Sequence, residues 1–266
     1  MKGLLLALLG LAIAFPVAAE PTLDEVLVAP HRSPEFVARD RYRKPRETLE
    51  FLGLKPHLTV VEIWPGGGYW TEILAPYLRP QGTYYTAISP SASSERSARA
   101  AERWHQKLTS RPDLYDKVRI SEFGMGHTDV APANSADLVL TFRNVHNWVA
   151  AGLADDAFAA FFKALKPGGI LGVGDHRAPT DRPQDPQATS GYVREDYVRQ
   201  LAERAGFEFV ESSELLANPK DTKDWPKGVW TLPPTLILGE QDRDKYLAIG
   251  EADNFLLKFR KPAKKE

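Results

Sequence analysis

Between residues 58 and 262 the chain alternates short apolar runs with stretches whose apolar residues recur every three or four positions. LTVVEIW (58–64), GTYYTAIS (82–89), KVRISEF (117–123), SADLVLTF (135–142), ILGVGDH (170–176), FEFVESSELL (207–216) and NFLLKFRKP (254–262) have the length and β-branched or aromatic content of strands. YWTEILAPYL (69–78) reads as a helix that Pro76 shortens or kinks. In ERSARAAERWHQKL (95–108), Ala98, Ala101, Trp104 and Leu108 fall on one helical face. In LADDAFAAFFKAL (153–165) the face is Phe158, Phe161, Phe162 and Leu165, and KPGG is expected to cap it. SGYVREDYVRQLAERAG (190–206) predicts a further helix. Repeated strand–helix units imply parallel strands with right-handed crossovers, an open α/β sheet with helices on both faces.

Three segments fall outside this rhythm. Residues 20–56 form an expected N-terminal helical extension, with a helix beginning at Pro45, ahead of a domain over 57–266. Insertions at 178–190 and 217–253 emerge near the C-terminal ends of strands, the edge where open α/β sheets bind ligands. They are lid or substrate-loop candidates, with surface decoration as the plainer alternative. Trp225 and Trp230 in the second either wall a pocket or anchor the loop.

The first 19 residues change the compartment. Lys2, the apolar run Leu4–Phe15 and the small residues Val17-Ala18-Ala19 have the layout of a cleavable export signal, with a cut expected after Ala19. The run is shorter than the ~20 residues of a membrane span. An exported, periplasmic protein without stable membrane insertion is therefore expected. The 34 basic and 35 acidic side chains nearly balance, which removes the electrostatic footprint of a nucleic-acid binder. With no cysteine, disulfides, thiolate metal sites and Cys nucleophiles are excluded. A small-molecule partner remains.

The candidate chemistry starts at VVEIWPGGGYWTEIL (60–74), where a strand ends in an acid and three glycines lead into a helix. Glycines let the main chain turn sharply and approach a ligand without side chains intervening. There is no G-x-G-x-x-G and no G-x-S-x-G, which argues against dinucleotide binding and an α/β-hydrolase elbow.

Three segments in order, Glu62–Gly68, Ala136 through His146, and Leu165-Lys166-Pro167-Gly168-Gly169, resemble the class I S-adenosylmethionine-dependent methyltransferases. Taken with the leader, ARDRYRKPRETLEFLGLKP, NVHNW, the GDH strand end and LLKFRKP, the chain is similar to the exported bacterial predicted methyltransferases. The resemblance implies a Rossmann-like sheet with an antiparallel last strand and S-adenosyl-L-methionine as cofactor. It implies cofactor contacts at Glu62, Gly66, Gly67, Gly68 and Ser89, and a methyl acceptor in the form of a small molecule or envelope component. Two departures weaken cofactor binding. Trp64 stands where the family has its first glycine, and Ile88 stands where an acid would accept the ribose hydroxyls. A non-catalytic periplasmic ligand-binding or scaffold protein on the same fold is the alternative.

Past the fourth and fifth strands come Asn144 and His146, then Asp175 and His176. His146 suits a general base, Asn144 a substrate-orienting group, and Asp175 a carboxylate that sets an imidazole tautomer. The same residues make a two-His, one-carboxylate ligand set. Adjacent strand residues point to opposite faces, so convergence of 175 with 176 is not expected, and no metal is expected.

Overall fold

The computed structural model describes residues 20–263, and the expected export signal at 1–19 lies outside the described residues. Strands β1 (Thr59–Ile63), β2 (Thr83–Ile88), β3 (Val118–Glu122), β4 (Ala136–Phe142), β5 (Leu165–His176), β6 (Glu208–Ser213) and β7 (Asn254–Arg260) form one sheet, ordered β3-β2-β1-β4-β5-β7-β6. β1 to β5 pair in parallel, and β7 runs antiparallel between β5 and β6. The antiparallel last strand is as expected.

Successive residues of β1 supply opposite faces, which is why its sequence is a continuous apolar run. Val61 and Ile63 join one core with Phe158, Phe161 and Trp148. Val60 joins the other with Leu49, Leu52, Ile73 and Trp104. Strand order reverses between β1 and β4, and that reversal opens a crevice at their C-terminal ends.

Two boundaries differ from expectation. The helix at 154–164 stops before KPGG, and Leu165 is already extended, opening a twelve-residue β5. Gly168 donates its N–H to the Lys261 carbonyl and Gly169 accepts from the Lys261 N–H, so the terminal strand claims the glycine pair. Long-range pairing therefore overrides the local cap signal. The helix expected over 190–206 forms only over Glu195–Arg204. Val193 instead exchanges backbone bonds with His176 and Ala178, extending the β5 edge.

The N-terminal extension consists of short helices at Leu23–Leu27, Pro34–Val37, Asp40–Arg43 and Pro45–Leu52. Glu72, on the helix Thr71–Leu78, accepts from the Ser33 N–H and hydroxyl and from Lys107, which fixes the extension beside the glycine loop. Leu52 lies so close to β5 that a Cβ on Gly172 would meet its methyls at 2.7 and 2.8 Å.

The second insertion is folded, packing Val229, Leu232, Tyr246 and Ala252 with Tyr192 into a small separate core. Asp221 gathers it, accepting from Tyr192, Trp225, and the Lys223 and Asp253 N–H groups. Trp225, stacked edge-on to Tyr246, is thus an anchor. Among the described residues no helix is long and apolar enough to cross a membrane.

Candidate functional site

The crevice holds two cavities of about 210 Å³ each, which share Trp64, Pro65, Gly66 and Asn144. The two flank the same loop. One runs toward Ile88, Ser89 and Trp104, and the other toward Glu62, Gly67 and the N-terminal extension.

Trp64 has φ +48°, the left-handed backbone that normally calls for glycine. The loop thus keeps a glycine's path with a tryptophan in it, at a cost on the order of 1–3 kcal/mol. The indole swings toward the end of β3. There its Nε1 donates to the Phe123 carbonyl at 3.0 Å, and its ring packs against Trp148 and Phe123. It forms a wall of the crevice and leaves the space over Gly66 open. A Cβ on Gly66 would meet nothing within 4 Å.

Glu62 lies under the loop, buried, accepting from the hydroxyls of Thr71 and Tyr84. Burial pushes its carboxyl up to about 7, while those hydrogen bonds and the charges of Arg43 and Lys107 pull the other way. An acid with a raised native pKa binds more protons folded than unfolded between its two pKa values. Its contribution to stability is therefore best below about 4.5, and declines as pH rises to about 7. The decline amounts to roughly 3 kcal/mol. Glu62→Gln keeps the shape and cannot ionise. It is expected to melt several degrees above wild type at pH 8 and to converge with it at pH 5, a comparison made by thermal melts across that range.

Ser89 and Ile88 both line the outer cavity, so the end of β2 presents one hydroxyl and one alkyl group. Gly68 serves the turn, donating its N–H to the Pro65 carbonyl. Asn144 donates its amide to the Ile63 carbonyl at 2.9 Å and to Thr141 at 3.3 Å. It ties β1 to β4 and holds the loop while lining both cavities.

His146, on the short helix Val145–Ala150 after β4, donates Nδ1–H to Asp175 at 2.9 Å, and its backbone N–H does the same at 3.0 Å. Nε2 is therefore the basic nitrogen. Trp230 from the second insertion covers the ring edge-on at 6.1 Å. His176 accepts at Nε2 from Arg143 at 3.2 Å, and burial followed by the Arg143 charge holds it well below its usual range, as a neutral ring.

Convergence of His146, Asp175 and His176, not expected from their strand positions, does occur: their ligand atoms lie within 4.8 Å of one another. The reason is local. Asp175 folds along its strand to accept the N–H of His176, which carries its carboxylate to the sheet edge between the two faces. As a metal site the set fits poorly, because Asp175 already accepts three N–H groups and the His176 acceptor faces a guanidinium that would repel a cation.

The sequence reading missed an arginine cluster. Arg39 and Arg43 from the extension and Arg143 after β4 line the inner cavity around Glu251 from the second insertion. Although burial pushes Glu251 up, Arg143, Arg43 and Arg39 hold it below the usual carboxylate range. Burial, then repulsion from Arg143, pulls Arg43 down to about 9. The basic run RDRYRKPR was the visible signal, but nothing in it tells a solvated helix from a pocket wall.

A family model described as a methyltransferase domain matches residues 37–212. No curated protein matches the chain. A SAM-dependent methyltransferase from Aquifex aeolicus superposes with a TM-score of 0.55 at 16% identity, covering 90% of this chain and 98% of that one. The [4+2]-cyclase SpnF gives 0.54 at 18%, covering 83% and 80%. A geranyl diphosphate methyltransferase in complex with SAM gives 0.51 at 14%, covering 90% and 94%. At such identities the likeness to these structures is one of fold.

Proposed function

The chain belongs to the methyltransferase-domain family of class I fold, and on that premise we propose that it moves a methyl group from S-adenosylmethionine to a hydroxyl or amine of a small molecule or envelope component. One observation carries this reading: the Trp64 indole is turned aside, so Gly66 borders both cavities and Gly67 the inner one.

The cofactor, when bound, supplies an electrophilic methyl on a sulfonium. Little covalent chemistry is then left to the protein, and most of the acceleration comes from alignment. Gly66 and Gly67 would admit the cofactor against the loop, Glu62 would hold its ammonium, and Ser89 would meet a ribose hydroxyl. Ile88 offers no acceptor there, and a ribose hydroxyl buried without a partner costs about 1–3 kcal/mol, so modest affinity is expected. Asn144 keeps β1 and β4 together beneath the cofactor. His146, held by Asp175 through Nδ1, takes the acceptor's proton at Nε2, and Trp230 packs edge-on against the ring.

Titrating the protein with S-adenosylmethionine and S-adenosylhomocysteine tests the reading. At ~100 Kd the bound state gains ~2.7 kcal/mol, which raises the melting temperature by roughly 5–10 °C for a domain of this size. No shift at millimolar ligand would sink the proposal.

A further inference from the structure

The inner cavity is lined by a cluster of arginines in which one buried donor is left without an acceptor. Three arginines, Arg39, Arg43 and Arg143, face it against Glu251. Two more acids touch the cluster electrostatically. Asp175 acts on Arg143, and Glu62 on Arg43.

Glu251 cannot serve all three partners. It accepts from Arg39 Nε at 2.5 Å and from Arg143 at 2.7 Å, whereas Arg43 Nε lies 3.6 Å away, buried and without a hydrogen-bond partner. Arg43 instead lies over the Tyr69 ring at 4.3 Å. A buried guanidinium donor without an acceptor is costly unless a ligand supplies one. Around it the walls are aromatic: Phe36 is edge-on to Tyr69, and Trp70 stacks on Phe142 with centroids 4.3 Å apart. Pro234 of the second insertion closes the far side.

We propose that the methyl acceptor is an organic anion, a carboxylate or phosphate on a flat apolar body, with its charged group on Arg39 and Arg43 and its body against the aromatic wall. This rests on the methyl-transfer reading and names its substrate class. The N-terminal extension and the second insertion then form the two jaws of the acceptor site, joined through Glu251.

The test uses protein saturated with S-adenosylhomocysteine, titrated by calorimetry with benzoate, phenyl phosphate and the neutral isostere benzamide. Benzoate or phenyl phosphate is expected to bind, with the tighter of the two identifying the anionic group, and benzamide at least tenfold more weakly. Arg39→Gln and Arg43→Gln are each expected to weaken acid binding tenfold or more, and Arg39→Lys to recover part of it. Arg39 keeps 19% of its side chain exposed, so it reports even if Arg43→Gln fails to fold. Benzamide binding as tightly as the acids, or acid binding indifferent to Arg39→Gln, would overturn the proposal. So would displacement of S-adenosylhomocysteine by the acids, which would assign the cluster to the cofactor's carboxylate. Failure of S-adenosylhomocysteine itself to bind refutes the methyl-transfer reading separately, and acid binding that depends on Arg39 would still locate an anion site.

Discussion

His146→Ala is expected to lower kcat by 10²- to 10⁴-fold while leaving the Kd for S-adenosylhomocysteine within about threefold of wild type. The basis is the tautomer. Asp175, fully buried, accepts both the backbone N–H and Nδ1–H of His146, so the ring is oriented by two bonds to one carboxylate and Nε2 is left basic. None of these bonds involves the glycine loop, which Asn144 holds from the neighbouring strand. Asp175→Asn should reproduce much of the loss, because an amide can turn its N–H toward Nδ1 and stabilise the wrong tautomer. Turnover is read as S-adenosylhomocysteine released with a panel of hydroxy- and aminobenzoates, and His146→Gln serves as a control that keeps most of the volume. If turnover and cofactor affinity fell together, His146 would be a structural residue only.

The second large effect belongs to the loop. Gly67→Leu is expected to erase the ~2.7 kcal/mol of stabilisation that saturating S-adenosylhomocysteine confers. The melting temperature of the free protein should change little. Gly67 does not adopt positive φ, and a Cβ there would meet the Phe36 ring at 3.4 Å, an ordinary contact. The added branches, however, must extend into the cavity that Gly67 and Phe36 line together. Gly68 is the contrasting case. At φ +91° and with a new Cβ 2.7 Å from Lys107, substitution there strains the fold itself. A ligand-dependent shift that survives Gly67→Leu would place the ligand elsewhere.

The two variants probe features of different legibility. The individual strands and helices and the glycine turn were readable because each is written within a dozen or so consecutive residues. Local period and turn chemistry report such features directly. Boundaries were less so: KPGG carries a sound helix-cap signal, yet its glycines pair with Lys261, nearly a hundred residues away.

By itself, then, the sequence determined an open parallel α/β sheet, where its ligand edge lies, and which short segments reach that edge. The tertiary structure alone decided that the Trp64 indole is turned to a wall of the crevice, because its direction depends on the carbonyl and ring of Phe123, just past β3, and on the Trp148 ring from the helix after β4. It alone brought Arg39, Arg43, Arg143 and Glu251 together. Charges from three distant segments have no common period in the sequence, and their mutual field exists only once folding has removed the water between them.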